Sequence, residues 1–333
     1  MSQKQIKPLV VVFGATGETG QRIVEGLLRS KAFRIAIVAR DLSKPAASRF
    51  AEQGAAIHKA DLLSATQERL EEILAGADIA IAALLPNCIE AQKKIADAGK
   101  AVGIKRFVPN DFGPSCPKGV MILQDRKLAI HEYIESIGLG HTYIEIGWWM
   151  QLTVIFPAHM NSATADMARN LIGTGDVPFA VADEFHIGDY VARIIQDERT
   201  LNKKVFVWED EVTQNQVWDL AVKKYGEGIL ENIRKLADSA FWRAGITRSR
   251  SLVGRTLHAV KTGGPSQMML RYLYEYWDSL FQRGDNTLAK AKANGAIDYR
   301  DLYPDIKPRT FAEYVENLGD EPYVPPQLER TIE

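Results

Sequence analysis

Apolar and polar positions follow two rhythms along the first half of the chain. Short runs such as PLVVVFG (8–14), FRIAIVAR (33–40) and DIAIAAL (78–84) are apolar almost throughout, the pattern of strands covered on both faces. Between them QRIVEGLLRS (21–30), SRFAEQG (48–54) and ERLEEILAG (68–76) repeat apolar residues at helical spacing, with Ile23, Val24, Leu27 and Leu28 inward on the first. AAIHKADL (55–62) adds a strand, AQKKIADAGKAVG (91–103) a helix, KRFVPN (105–110) a strand, and HTYIEIGWW (141–149) one longer strand. This alternation predicts an α/β fold, a doubly wound parallel sheet with right-handed crossovers.

The helix predicted over LQDRKLAIHEYIESIG (123–138) carries an anomaly. Leu123, Ile130, Ile134 and Ile137 share one face, and Lys127 fills the vacant place on that apolar stripe. A lysine so placed either snorkels to water from the helix edge or enters a cleft. His131 follows one turn later and either lines the same cleft or is a satisfied interior histidine.

After residue 151 the pattern loosens into longer helices, aromatics and glycine-rich connections such as ARNLIGTGDVPFAVADEF. The expected division is a dinucleotide-binding domain over 1–152 and a smaller α/β substrate domain over 153–333. KKVFVW (203–208) has strand character and could return to the first sheet. The terminal EPYVPPQLERTIE is expected to be an extended tail.

Composition narrows the function. The 333 residues carry a net charge of −1, which gives no reason to expect nucleic acid or a membrane surface as partner. Cys88 and Cys116 are the only cysteines, so neither a disulfide framework nor a thiolate metal cluster is expected. HEYIE (131–135) resembles the start of a zinc-protease helix but has Glu135 where the second histidine belongs, so no metal is expected. The start of the chain lacks the long apolar core of a signal peptide and no stretch is long enough to span a bilayer, which points to the cytoplasm. FWRAGITRSRSLVGR (241–255) is basic and could meet nucleic acid, a partner or an anionic substrate group, but with nothing else in the chain basic a solvated loop is the favoured expectation.

Chemistry enters at GATGETG, between the first strand and the first helix. Gly14 permits a tight turn, Gly17 lets backbone approach a pyrophosphate, and Gly20 lets the helix pack close to the sheet, as in a Rossmann nucleotide-binding unit. Thr16 and Thr19 add hydroxyl donors. At the end of the second strand an Asp or Glu would hold a ribose 2′-hydroxyl; this chain has Arg40, with Lys44 nearby. A guanidinium forks onto a 2′-phosphate, so NADP(H) is favoured, with Asp41 keeping NAD(H) open. Asp61 and Leu62, after the third strand, fall where the adenine edge would lie.

These residues, with KRFVPNDFG (105–113), ERTLNKKVFVW (198–208) and LYPDIKPRTFAEYVENL (302–318), resemble the isoflavone reductase-like (NmrA-like) family of atypical short-chain dehydrogenase/reductases over nearly the whole chain. The resemblance places Lys127 on the family's general acid/base lysine. It also implies cofactor contacts at Glu18, Leu85, Pro86, Asn110 and Phe112 and a structural role for Gln92. Asn110-Asp111 stands where the family has Ser-Glu, and GWWMQL (147–152) replaces a less aromatic segment. Trp148, Trp149 and Met150 are thus expected on the pocket wall or in the core.

The common Tyr-x-x-x-Lys dehydrogenase spacing occurs only at Tyr303 to Lys307, where Pro304 argues against a shared helix. The expected function is an NADPH-dependent reductase of a small conjugated substrate such as an enone or quinone methide, aromatic in character, with Lys127 handling the proton. The competing expectation is a non-catalytic NADP(H) sensor like some NmrA-like members. A homodimer is compatible with either.

Overall fold

The computed structural model describes residues 6–153, 169–232, 234–236 and 267–318. The basic segment 241–255 and the proline-containing tail lie outside them. The amino-terminal lobe runs β1 (Leu9–Phe13), α1 (Glu18–Ser30), β2 (Arg34–Ala39), α2 (Pro45–Glu52), β3 (Ala56–Lys59), α3 (Gln67–Leu74), β4 (Ile79–Ala82), α4 (Gln92–Val102) and β5 (Arg106–Val108). These strands form a parallel sheet of order β3-β2-β1-β4-β5, reversing direction between β1 and β4. Both faces of β1 are buried, as an apolar run requires: Val10 and Val12 join one core and Val11 and Phe13 the other.

α1 begins at Glu18 rather than at Gln21, because Gly17 occupies its N-cap and the end of the glycine motif forms its first turn. α5 (Ile122–Ser136) follows, then β6 (Thr142–Ile146) and β7 (Trp148–Trp149). The single strand expected over 141–149 is therefore two. They divide at Gly147, where a Cβ would sit within about 3 Å of the Ala180 and Val181 backbone. Two other strands are β8 (Asn170–Ile172) and β9 (Phe179–Ala182), and β7 pairs with β9 in another sheet.

The chain then re-enters the first lobe. α6 (Ile187–Ile194) crosses α1 so closely that a Cβ on Gly26 or Gly188 would strike the opposing backbone. β10 (Lys203–Val207) pairs in parallel with β6, and a bridge from Phe107 to His141 joins β5 to β6. β11 (Asp210–Val212), α7 (Gln214–Tyr225), β12 (Arg234–Leu236), α8 (Gln267–Trp277) and α9 (Leu288–Ala293) continue the second lobe. β13 (Ile297–Asp298) pairs with β10, and α10 (Tyr299–Leu302) and α11 (Phe311–Glu316) complete the described chain. The second lobe has its own core around Trp148, Phe179, Trp218, Trp277 and Phe311. Two buried acids fasten the carboxy-terminal motif to it: Asp183 accepts from Arg309 Nη1 at 2.6 Å, and Glu209 from Tyr190 Oη at 2.6 Å and the Arg309 amide at 3.2 Å. Among the described residues no helix is long and apolar enough to cross a membrane.

Candidate active site

Parallel strands deliver their carboxyl ends to one edge of the sheet, and a ligand crevice opens where the order reverses. Gly14, Arg40, Asp61, Leu85 and Asn110 each follow one of the five strands at this edge. The turn after β1 is built for close approach. Gly14 has φ +76°, and its amide donates to the Val38 carbonyl at 3.1 Å. A Cβ on Gly20 would collide with the Gly14 carbonyl, so only glycine lets α1 begin this near the strand. The first bond of α1 runs from the Gln21 amide to the Gly17 carbonyl at 2.8 Å, and no side chain caps this end. Such an uncapped helix start, with Thr16 buried beside it and Glu18 and Thr19 in its first turn, fits a pyrophosphate.

Arg40 is exposed at the end of β2 and makes no hydrogen bond or ion pair among the described residues. Asp41, the alternative ribose partner, turns its Oδ1 onto the Ser43 amide (3.0 Å) and hydroxyl (2.6 Å). That leaves the guanidinium as the available group, which fits a 2′-phosphate better than a bare ribose. Lys44 stands at the N-cap of α2 and is half-buried. Asp61 is exposed and Leu62 half-buried beyond β3. Leu85 is 55% exposed, a large apolar surface beside the crevice, and Pro86 opens the short turn that follows it.

Asn110 ties the loops after β4 and β5 together. Its side-chain amide donates to the Leu84 carbonyl at 2.7 Å, and its backbone amide to Gln92 Oε1 at 2.7 Å. Gln92 thus bridges the two loops, and Phe112 is buried in the first lobe's core.

Lys127 is buried on α5, only 6% exposed, beside Leu123, Gln124, Ile130 and His131. It makes no hydrogen bond or ion pair among the described residues. His131 is enclosed as well, with Nε2 lying 2.7 Å from Asp111 Oδ2 and its ring stacked on Tyr143 at 3.7 Å. Burial pushes the Asp111 carboxyl up, but the positive fields of His131, Lys127 and Lys204 outweigh it and hold the group below the usual carboxylate range. Asp111 and Lys204 were not foreseen as members of this cluster. Glu145 also belongs to it, 3.3 Å from Lys204 Nζ, and its signal was a lone acid in the apolar strand TYIEI.

The tryptophan segment divides. Trp148 lines a recess with Thr153, Gln214, Trp218 and Trp277, Trp149 is half-buried against the first lobe's core, and Met150 is fully enclosed in the second lobe's core. The three side chains therefore do not share one wall. Tyr303 and Lys307 share no helix; the Tyr303 hydroxyl donates to Asp197 at 3.0 Å, and Lys307 pairs with Glu313 at the surface.

Sheet order, glycine turn and uncapped helix start define a dinucleotide-binding α/β protein with a second lobe added. The chain belongs to the NmrA-like family, whose model matches residues 6–236. It is 32% identical over 326 residues to the asnovolin J 5′,6′-dehydrogenase of Aspergillus novofumigatus, covering 93% of this chain and 95% of that protein. It is 24% identical over 329 residues to a probable pinoresinol-lariciresinol reductase 3 of Arabidopsis thaliana, covering 96% and 100%. A solved isoflavone reductase superposes with a TM-score of 0.73 at 24% identity, over 93% of this chain and 98% of that one. A leucoanthocyanidin reductase–NADPH complex from Vitis vinifera superposes at 0.71 and 22%, over 92% and 98%. These likenesses show the shared fold.

Proposed function

We propose that the protein is an NADPH-dependent oxidoreductase acting in the cytoplasm on a small conjugated, aromatic substrate, with Lys127 as general acid/base. The observation that carries this reading is the inward placement of Lys127 on α5, a residue only 6% exposed that makes no hydrogen bond or ion pair among the described residues. A lysine whose stem is enclosed and whose amine has no protein partner among the described residues leaves that amine available to a substrate oxygen. The relatives include both a dehydrogenase and reductases, which supports hydride chemistry in this chain.

Bound NADPH would supply the hydride to an electrophilic carbon conjugated to a carbonyl or a quinone-methide oxygen. The electron pair then accumulates on that oxygen, and Lys127 gives it a proton. The glycine turn and Arg40 would hold the dinucleotide, while the apolar side of α5 excludes water. A dinucleotide sensor has no use for an inward-placed lysine that makes no hydrogen bond or ion pair among the described residues, so the catalytic reading is preferred.

Lys127→Ala tests it. NADPH affinity, followed by nicotinamide fluorescence, should stay within about twofold. Oxidation of NADPH with conjugated enones, quinones or phenolic dimers as acceptors should fall by roughly two orders of magnitude or more. Turnover equal to the parent protein would remove Lys127 from the reaction.

A further inference from the structure

We propose that Asp111 and His131 form a buried positioning pair that keeps the Lys127 amine available and fixes the pH range over which it carries a proton. This rests on the reading of Lys127 as the proton-transfer group. Lys127 and His131 are one turn apart on α5, so both side chains lie on the same stripe. Asp111, on the segment after β5, lies against His131 and within electrostatic reach of Lys127.

The imidazole is held from two sides. It stacks nearly parallel to the Tyr143 ring, with an interplanar angle of 9°, and Tyr143 stacks on His141 at 4.5 Å. The Tyr143 hydroxyl donates to the His131 carbonyl at 3.3 Å and to Glu135 Oε1 at 3.1 Å. On β10, Lys204 lies beside Glu145 of β6. Asp111 is thus hydrogen-bonded to His131, while Glu145 has Lys204 at 3.3 Å as an ion contact without a hydrogen bond. Among the described residues Lys127 has neither.

That division has a chemical consequence. An ionised carboxylate in a low-dielectric interior draws the nearest ammonium into a closed ion pair, and a lysine so captured gives up its proton less readily. With His131 on Oδ2, Asp111 attracts the Lys127 amine without enclosing it. The titratable groups linked to Asp111 are His131 and Lys127 from α5, Tyr143 from β6 and Lys204 from β10, with Glu135 on Tyr143 and Glu145 beside Lys204. α4, the turn before it and α8 also pack on α5, and their acids Asp97, Glu90 and Glu275 are engaged by Tyr133, Arg126 and the Ile122 amide.

The two partners should therefore shift Lys127 in opposite directions. The full chain labelled with [ε-13C]lysine is titrated by NMR, with the Lys127 signal assigned by its loss in Lys127→Arg. Asp111→Asn should move its midpoint acid-ward by roughly one pH unit, and Asp111→Glu should restore most of that shift. His131→Phe, which keeps a ring for Tyr143 but removes the hydrogen bond, should move the midpoint alkaline-ward by a similar amount. If Asp111→Asn does not fold, the His131→Phe shift decides the question alone. Shifts below about 0.3 unit, or of one sign for both partners, would overturn the pair while leaving Lys127's role standing. Undiminished NADPH oxidation by Lys127→Ala would overturn that role itself, whatever the titration shows.

Discussion

Arg40→Ala isolates cofactor choice from everything else the chain does. Arg40 is exposed and makes no hydrogen bond or ion pair among the described residues, so its loss should leave stability within about 0.5 kcal/mol. Its contribution in the complex is a charge-assisted contact to the 2′-phosphate, worth roughly 1.5–3 kcal/mol. Solvent exposure favours the lower end of that range. The expected outcome is about a tenfold loss of NADPH affinity, with NADH affinity unchanged within about twofold. Nicotinamide fluorescence titrations of both dinucleotides measure this without any substrate. A second readout comes from Cys88, whose thiol is pushed up by burial while the Arg40 charge opposes that rise. Removing Arg40 should slow alkylation of Cys88 near neutral pH, because less thiolate is present. Equal losses for NADPH and NADH, or no loss for either, would refute the assignment of Arg40 to the phosphate.

Two further outcomes can be measured without knowing the substrate. Gly20→Ala places a methyl group against the Gly14 carbonyl, so it should cost on the order of 2 kcal/mol in chemical denaturation and weaken NADPH binding at least about tenfold. A normal affinity would remove the glycine turn from the cofactor site. Asp111 titrates below its ordinary value in the folded protein, and Asp197, beside Arg199 and despite some burial, is lowered to about 2. Their stabilisation is fully present above the unfolded carboxyl value of about 3.9 and is lost as pH falls through the folded values. Stability attributable to these two groups should therefore hold down to about pH 4 and decline below it, with a shallower decline in Asp111→Asn.

Much of the first lobe was legible because each apolar run could be only one thing. LVVVF and IAIA are too short and too continuous for amphipathic helices, and the glycine spacing fixed where the first turn must lie. The stripe on α5 likewise pointed Lys127 inward from local periodicity alone. What periodicity cannot express is pairing across sequence. Asp111 meets His131 after a turn and several helical residues, and Lys204 meets Glu145 only because β10 returns beside β6. The break at Gly147 was hidden for the same reason: it arises from the backbone of β9, far along the chain. Asn110 shows the limit at a single residue, since its side chain binds the Leu84 carbonyl, a contact that composition does not suggest.

The late pairing of β10 and β13 beside β6, in a three-stranded sheet next to the amino-terminal one, bears on how this polypeptide matures at the ribosome. A nascent chain ending near residue 152 would expose the outer edge of β6, which β10 covers in the finished protein. The crevice-bearing lobe therefore reaches its full width only after residues near 298 have left the exit tunnel. Until then the emerging sheet carries an open, sticky border, and the interval of translation between the two is when trapping by neighbouring chains is most to be expected.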